Sequence, residues 1–200
     1  MRRGLLLRLC AGGVFVAAVS VALLRPPLAT KVAPVGLVGR LFGGGASHLA
    51  ADVLWIRFER ARREGRWALA YSHAESALAL APDSVAGWQA LARHLAFERG
   101  EPGVGKTLEE RAAWLQAALE TLEAGERAGA DAAELAFSAG ALMAAEASLE
   151  PEDLAWPGGR AAAWHAAALA FERARRAGHP LGAEAAAAAL ARAREVEDAH

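Results

Sequence analysis

Beyond residue 50 this 200-residue chain contains only five β-branched aliphatic side chains, Val53, Ile56, Val85, Val104 and Val196. A β-sheet draws on Val, Ile, Thr and aromatic residues, because branched and flat side chains fill its pleated surface. Without them no sizeable sheet forms. In their place the chain has 54 alanines, in company with Leu, Glu and Arg. These residues lose least on entering a helix. The expected fold class is all-α. A single cysteine, Cys10, excludes a disulfide framework and a thiolate zinc site.

The formal net charge of −1 conceals a division. Arg2, Arg3, Arg8, Arg25, Lys31 and Arg40 are the only charged residues among the first 40. Residues 41–200 hold all 23 acidic residues against 16 basic ones, a surplus of seven negative charges. A body of that sign repels phosphate backbones, so nucleic acid is not an expected partner.

The head of the chain has its own character. Residues 9–24, LCAGGVFVAAVSVALL, form an unbroken apolar run behind Arg2, Arg3 and Arg8. Counted from Gly4 to Leu24, with Arg8 snorkelling, the run reaches the ~20 residues of a membrane span. Residues 1–29 are therefore read as a transmembrane anchor, with a cleaved signal peptide as the alternative. Prolines 26 and 27 beside Arg25 match a small-x-small cleavage site poorly. The short basic tail favours an inside amino terminus, which places the acidic body outside the cytoplasm, as in a single-pass protein of a bacterial-type inner membrane. The alternative location is secreted or periplasmic. Residues 30–46, rich in Gly and Pro, read as a linker.

From Ser47 onward start and stop signals mark seven helices. They are expected over 47–64, 66–80, from Asp83 or Ser84 to Arg99, from Thr107 to Ala128, from Asp131 to Leu149, 160–177 and 181–197. Thr107-Leu-Glu-Glu110 and Asp131-Ala-Ala-Glu134 have the form of capping boxes. Short connections imply antiparallel neighbours. Ten large side chains, Trp55, Phe58, Trp67, Tyr71, Trp88, Phe97, Trp114, Phe137, Trp164 and Phe171, are expected as knobs in an alanine-lined core. An octet also repeats: Phe58-Glu-Arg-Ala-Arg-Arg-Glu-Gly65 returns as Phe171-Glu-Arg-Ala-Arg-Arg-Ala-Gly178, seven of eight residues identical. Each copy puts arginines in a last helical turn, where the helix dipole favours cations.

One stretch carries a resemblance. Gly65-Arg-Trp67-Ala-Leu-Ala70, continuing through Ala77-Leu-Ala-Leu80-Ala-Pro82-Asp83 to Trp88, Leu91, Ala92 and Leu95, resembles the tetratricopeptide (TPR) repeat. The likeness covers about residues 65–95. It implies stacked antiparallel helical hairpins over 47–200, a TPR-like α-solenoid following the amino-terminal hydrophobic helix, with a groove that holds a protein or peptide partner. The groove residues it suggests lie on first helices: Trp55, Arg62, Trp88 and His94. More loosely, Ala51-Asp52-Val-Leu-Trp55-Ile56, Ala81-Pro82 and Trp88 resemble uncharacterised membrane-anchored bacterial proteins.

Catalytic chemistry finds little support in the residues. Gly100-Glu-Pro-Gly-Val-Gly105-Lys106-Thr107 satisfies the P-loop expression in full, with Lys106 and Thr107 in the phosphate and Mg²⁺ positions. That loop works after a buried strand, and here a helical stretch precedes it, so a helix-to-helix turn capped by Thr107 is the preferred reading. A P-loop nucleotide-binding protein stays as the alternative. His48, His73, His94, His165, His179 and His200 show no i, i+4 pair, so no metal is expected. Glu120, Glu123, Glu126 and Glu134 read as a solvated stripe, and the clusters Arg60/Arg62/Arg63 and Arg173/Arg175/Arg176 as solvated helix ends. The sum is a non-catalytic, membrane-tethered interaction or scaffold protein, without cofactor or metal, that engages its partner in a groove between helices and the membrane through residues 4–24.

Overall fold

In the computed structural model the described residues are 44–100 and 106–199, and every regular element among them is helical. The expected anchor over 4–24, and the expected linker as far as residue 43, lie outside them. The helices are α1 (Gly44–Arg63), α2 (Trp67–Leu80), α3 (Val85–Arg93, continued by a π-helical turn over His94–Arg99), α4 (Leu108–Ala128), α5 (Ala132–Ala147), α6 (Gly159–Arg176) and α7 (Gly182–Asp198). A single 3₁₀ turn, Pro151–Asp153, interrupts the connection between α5 and α6. The all-α expectation holds among the described residues. α1 starts at Gly44, three residues inside the expected linker, and α5 stops at Ala147 rather than Leu149.

The caps stand at residues the sequence indicated, although of the two expected boxes only that of Thr107 and Glu110 is reciprocal. Ser84 Oγ accepts from the Gly87 amide at 3.2 Å and opens α3. Thr107 and Glu110 form a reciprocal box, with Thr107 Oγ1 accepting from the Glu110 amide at 3.2 Å and Glu110 accepting from the Thr107 amide at 2.9 Å. Asp131 accepts from the amides of Ala133 and Glu134 at 2.8 and 3.2 Å. The Glu134 carboxylate lies 3.5 Å from His179 on the turn after α6. Each such cap is worth about 1 kcal/mol, enough to fix where a helix begins.

α1 and α2 are joined by a three-residue turn and pack side by side, so they run antiparallel. α3 packs on α4, α5 on α6, and α7 lies against α6. α3 also touches α5 directly, which brings the first helices of two successive hairpins together. Alanine makes this closeness feasible: Ala61, Ala70, Ala74, Ala77 and Ala92 are at most 1% exposed. At two glycines in helix interiors a methyl would run into an aromatic ring of the neighbouring helix. A Cβ on Gly125 of α4 would fall 2.7 Å from the Trp88 ring and from Leu135 Cδ1. A Cβ on Gly140 of α5 would fall 2.6 Å from the ring of Phe171. The two aromatics sit in seats made by missing side chains.

One core cluster runs from α1 to α6 and includes Phe58, Tyr71, Leu91, Leu95, Leu122 and Leu135. A smaller one joins α5, α6 and α7 through Phe171, Ala186 and Ala189, with Phe137 and Trp164 half-buried against it. Burying one Leu or Phe side chain contributes about 1.5–3 kcal/mol. Of the ten expected knobs, nine are buried or half-buried, and Phe97 is corrected, since 48% of it stays exposed. The inward stripe of α3 is Gly87, Leu91, Ala92 and Leu95, and Phe97 lies beyond its edge on the far side of the helix.

A buried ion pair ties the hairpins together, and the sequence did not announce it. Arg111, 4% exposed, lies 3.5 Å from Glu146 and donates from Nε to the Gly100 carbonyl at 2.8 Å. Its other guanidinium arm reaches the Asp153 carbonyl, and Glu146 accepts from the Ala155 amide. The end of α3 and the 148–158 connection are thereby bound to α4 and α5. Removing one partner of such a pair leaves a buried charge and costs about 3–5 kcal/mol.

Candidate functional site

The face of α3 opposite its buried stripe meets α5 across a groove. Its lining comprises Ala86, Gln89, Ala90, Ala92, Arg93 and Phe97 from α3, Leu122 from α4, and Phe137, Ser138, Ala141 and Leu142 from α5. The cavity measures about 540 Å³, the size of a pocket that accepts a few side chains. Its floor is aliphatic, from Leu122 and Leu142. A hydrogen bond from Gln89 Nε2 to Ser138 Oγ at 2.8 Å bridges the two helices, and Ser138 Oγ in turn donates to the Glu134 carbonyl at 2.9 Å. The wall on the α5 side is stiff, because Phe137 stacks on His179 at 4.0 Å and tilts against Phe171 at 5.0 Å.

The electrostatics of the groove are simple. Arg93 is its only charged lining residue, and no carboxylate lies within ion-pair distance of it among the described residues. Among the described residues no histidine, cysteine or acid lines the cavity, and its one hydroxyl is already engaged at both ends. Nucleophilic or general acid–base chemistry needs a positioned base beside a reactive group. The lining offers apolar surface, the Gln89–Ser138 bridge and one cation.

The four residues suggested by the sequence fall elsewhere: none of them lines this groove. Trp55 packs edge-on against Phe58 at 5.4 Å. Trp88 is seated on Gly125 and donates from its indole to the Pro82 carbonyl at 2.9 Å. Arg62 is held by Glu59 at 2.8 Å and by Glu98 of α3. Those two carboxylates raise its pKa, the Glu59 hydrogen bond most of all.

His94 is 4% exposed, stacked on Trp67 at 5.6 Å and edge-on to Phe58 at 5.4 Å. Glu98 Oε2 approaches its Nδ1 at 3.1 Å and the Tyr71 hydroxyl its Nε2 at 3.4 Å. Burial pushes the His94 pKa down against the opposing pull of Glu98. Burial also pushes Tyr71 up to about 12. Trp55, Arg62 and His94 are thus brought together at the α1–α3 contact, where they cement helices, and Trp88 does the same at the α3–α4 contact.

The reason is one of face. A first helix turns its regular apolar stripe toward its packed neighbours, in its own hairpin and in the next, so aromatics read from that stripe are packing. The accessible wall is the opposite side, where Gln89, Arg93 and Phe97 recur at intervals of four. Phe97 was the legible signal, being an aromatic out of phase with Trp88, Leu91 and Leu95. The arginine clusters are likewise spent in part on neighbours: Arg175 and Arg176 on Glu172, and Arg173 on Glu126 at 3.8 Å. Arg99 lies over the rings of Trp67 and Trp114 at 4.6 and 4.8 Å.

Residues 101–105 of the P-loop-like stretch lie outside the described residues. What flanks them is helical: α3 ends in its π turn, with the Gly100 amide bonded to the Leu95 carbonyl at 3.0 Å, and Thr107 caps α4. The strand that a phosphate-cradling loop follows is replaced by α3. Among the described residues no cluster of His, Cys, Asp and Glu is arranged to hold a metal, and no helix is long and apolar enough to cross a membrane. Comparison with family models, curated proteins and solved structures found no match to this chain.

Proposed function

We propose that this protein is a non-catalytic scaffold whose TPR-like stack of helical hairpins holds a protein or peptide partner in the groove between α3 and α5, tethered to a membrane through residues 4–24. The observation that carries the reading is the groove: a stiff, apolar trough of about 540 Å³ between the first helices of consecutive hairpins, with Arg93 at its edge. The repeat-like spacing from Gly65 to Leu95 and the direct α3–α5 contact support the stacked arrangement. An extended or helical segment would bury an apolar side chain between Phe97 and Phe137 and set a carboxylate on Arg93. Buried aromatics and a desolvated arginine are what carry binding energy at such surfaces.

The test is site-specific photo-crosslinking in the full-length chain within its native membrane. A photoreactive phenylalanine analogue at position 97 is expected to capture one dominant protein, while the same group at Leu169, exposed on α6, captures none. Arg93→Glu and Ala141→Trp should each abolish the adduct without altering helicity. Equal capture at both positions, or capture that survives both substitutions, would remove the groove from the function.

A further inference from the structure

α1 exposes a second surface that the groove does not use. Leu49 and Ile56 are each 69% exposed and Val53 48%. Arg60 and Arg63 continue the same line at alternating steps of four and three residues, so all five share one helical face. Among the described residues the other large exposed apolar side chains, Leu69, Phe97, Leu108, Leu169 and Leu190, stand one to a helix, and Leu181 lies on the turn before α7. Isolated leucines on a surface are ordinary, whereas an aligned row marks a candidate contact surface.

Charge indicates which occupant. α1 carries Arg57, Arg60, Arg62 and Arg63 against Asp52 and Glu59, whereas residues 64–200 hold 21 acidic against 12 basic groups. Arg62 turns inward to Glu59 and Glu98, and the other three are exposed. Arg60 is shared with Glu64 at 3.1 Å, and no carboxylate lies within ion-pair distance of Arg57 or Arg63 among the described residues. A basic helix on an acidic body orients itself against an anionic surface: the body is repelled and α1 is drawn in. Apolar side chains on one face with arginines beside them are the make-up of a helix that lies in a bilayer interface.

Chain continuity points the same way. The 43 residues before α1 hold the apolar run over 9–24 and six basic groups with no acid. Nineteen residues separate the end of that run from Gly44, and no chain of that length reaches beyond about 65 Å. A face tethered to a bilayer through its own chain needs only weak affinity to stay on it.

We propose that the outward face of α1 rests on an anionic bilayer, with Leu49, Val53 and Ile56 at the boundary between head groups and acyl chains and Arg57, Arg60 and Arg63 on lipid phosphates. This rests on the reading of residues 4–24 as a membrane tether. Docking would fix the orientation of the hairpins, and hence the direction in which the groove opens.

The experiment uses the full chain carrying Cys10→Ser and either Ile56→Cys or Leu169→Cys, labelled with an environment-sensitive fluorophore. The protein is reconstituted into vesicles of phosphatidylcholine with or without phosphatidylglycerol. Nitroxide-bearing lipid should quench the label at 56 severalfold more than the label at 169, and only when phosphatidylglycerol is present. Arg60→Glu with Arg63→Glu should return position 56 to the level of 169. Equal quenching at the two sites, in vesicles from which alkaline carbonate does not extract the chain, would overturn the docked face and leave the tether standing. Extraction by carbonate would overturn both. A label at 56 shielded from lipid nitroxide and from aqueous iodide alike would mean that protein covers the face, which also overturns the proposal.

Discussion

The octets Phe58–Gly65 and Phe171–Gly178 are nearly one sequence used twice, at the end of a first helix and at the end of a second one. Locally they behave alike. Phe58 and Phe171 are 3% and 6% exposed, and Ala61 and Ala174 are buried beside them. Arg62 reaches back to Glu59 at 2.8 Å, as Arg175 does to Glu172 at 2.7 Å. Both octets end on a glycine in the left-handed region, with φ of +69° at Gly65 and +100° at Gly178, where a side chain would be strained.

Beyond the octet they part. Phe58 meets the rings of Trp55 and His94, and Arg62 crosses to Glu98 of α3. Phe171 sits on Gly140 and against Phe137, while Arg175 stays on its own helix. The segment itself determines how a helix ends, and the neighbours determine what its side chains are used for.

The comparison breaks most visibly in the core. Phe58→Ala and Phe171→Ala each remove a buried ring and should destabilise by about 3–5 kcal/mol in urea unfolding. Phe58→Ala is expected to be the worse of the two, because rigid rings surround that site and cannot collapse into the cavity. Phe171 belongs to the smaller cluster against α7, whose alanine-rich face can close part of the gap. Equal losses would mean that the surroundings of the two octets do not differ in rigidity.

A second test works from the other side of the contact. Gly140→Ala forces a methyl toward the Phe171 ring and should destabilise by about 1–3 kcal/mol. Adding Phe171→Leu to Gly140→Ala should recover part of that loss, as a double-mutant cycle in urea would show. Gly65 has no atoms within 4 Å of where a side chain would begin, so Gly65→Ala acts through backbone strain alone and gains nothing from a change at Phe58.

Titration separates the two halves next. His94 is the ring against Phe58, and its burial lowers its pKa below the ordinary 6.5. In that range the unfolded chain binds the proton that the folded chain refuses. Stability is therefore complete above about pH 6.5 and falls as the pH is lowered through and below that value. Unfolding free energies measured from pH 7.5 down to 5 should fall, and His94→Phe should flatten that part of the profile. A slope unchanged by His94→Phe would show that the α1–α3 contact is not what refuses the proton.

How much of this was legible follows from the same distinction. Caps at Ser84, Thr107 and Asp131, the stops at Gly65 and Gly178, and the absence of β-formers are local properties, so element identity and order could be read directly. The buried Arg111–Glu146 pair joins residues 35 apart. Nothing in either neighbourhood marks them, because an isolated Arg or Glu on a helix is ordinarily solvated. The groove failed to be read for a different reason. Trp55, Trp88 and His94 stand out in a sequence, yet conspicuous aromatics in an alanine-rich chain are what fills the core. The accessible wall is made of the less conspicuous Gln89, Arg93 and Ser138, with Phe97 the one residue there whose phase sets it apart in the sequence.

Arg62 and Arg175 give a smaller contrast. Arg62 serves two carboxylates on two helices, and its side chain is 26% exposed. Arg62→Ala should lower stability by about 0.5–1 kcal/mol, part of it from lost packing of its aliphatic stem. Arg175→Ala removes an exposed pair within one helix, although that pair holds the Glu172 carboxyl down to about 2. Its melting temperature should stay within error of the parent.

The smallest effect concerns the single place where the octets differ. Glu64 in the first copy captures Arg60 at 3.1 Å, four residues before it. Ala177 stands at the matching place in the second copy, and Arg173 instead crosses to Glu126 of α4 at 3.8 Å. Ala177→Glu would supply the missing carboxylate and draw Arg173 back along its own helix. A double-mutant cycle on Arg173 and Glu126 should show a coupling of about 0.3–0.5 kcal/mol in the parent and close to zero in Ala177→Glu. The exchange leaves total stability almost unchanged, since one exposed pair replaces another. It would nonetheless show one residue deciding whether an arginine braces its own helix or the next. A coupling that persisted in Ala177→Glu would mean the approach of α6 to α4, rather than the missing glutamate, places Arg173.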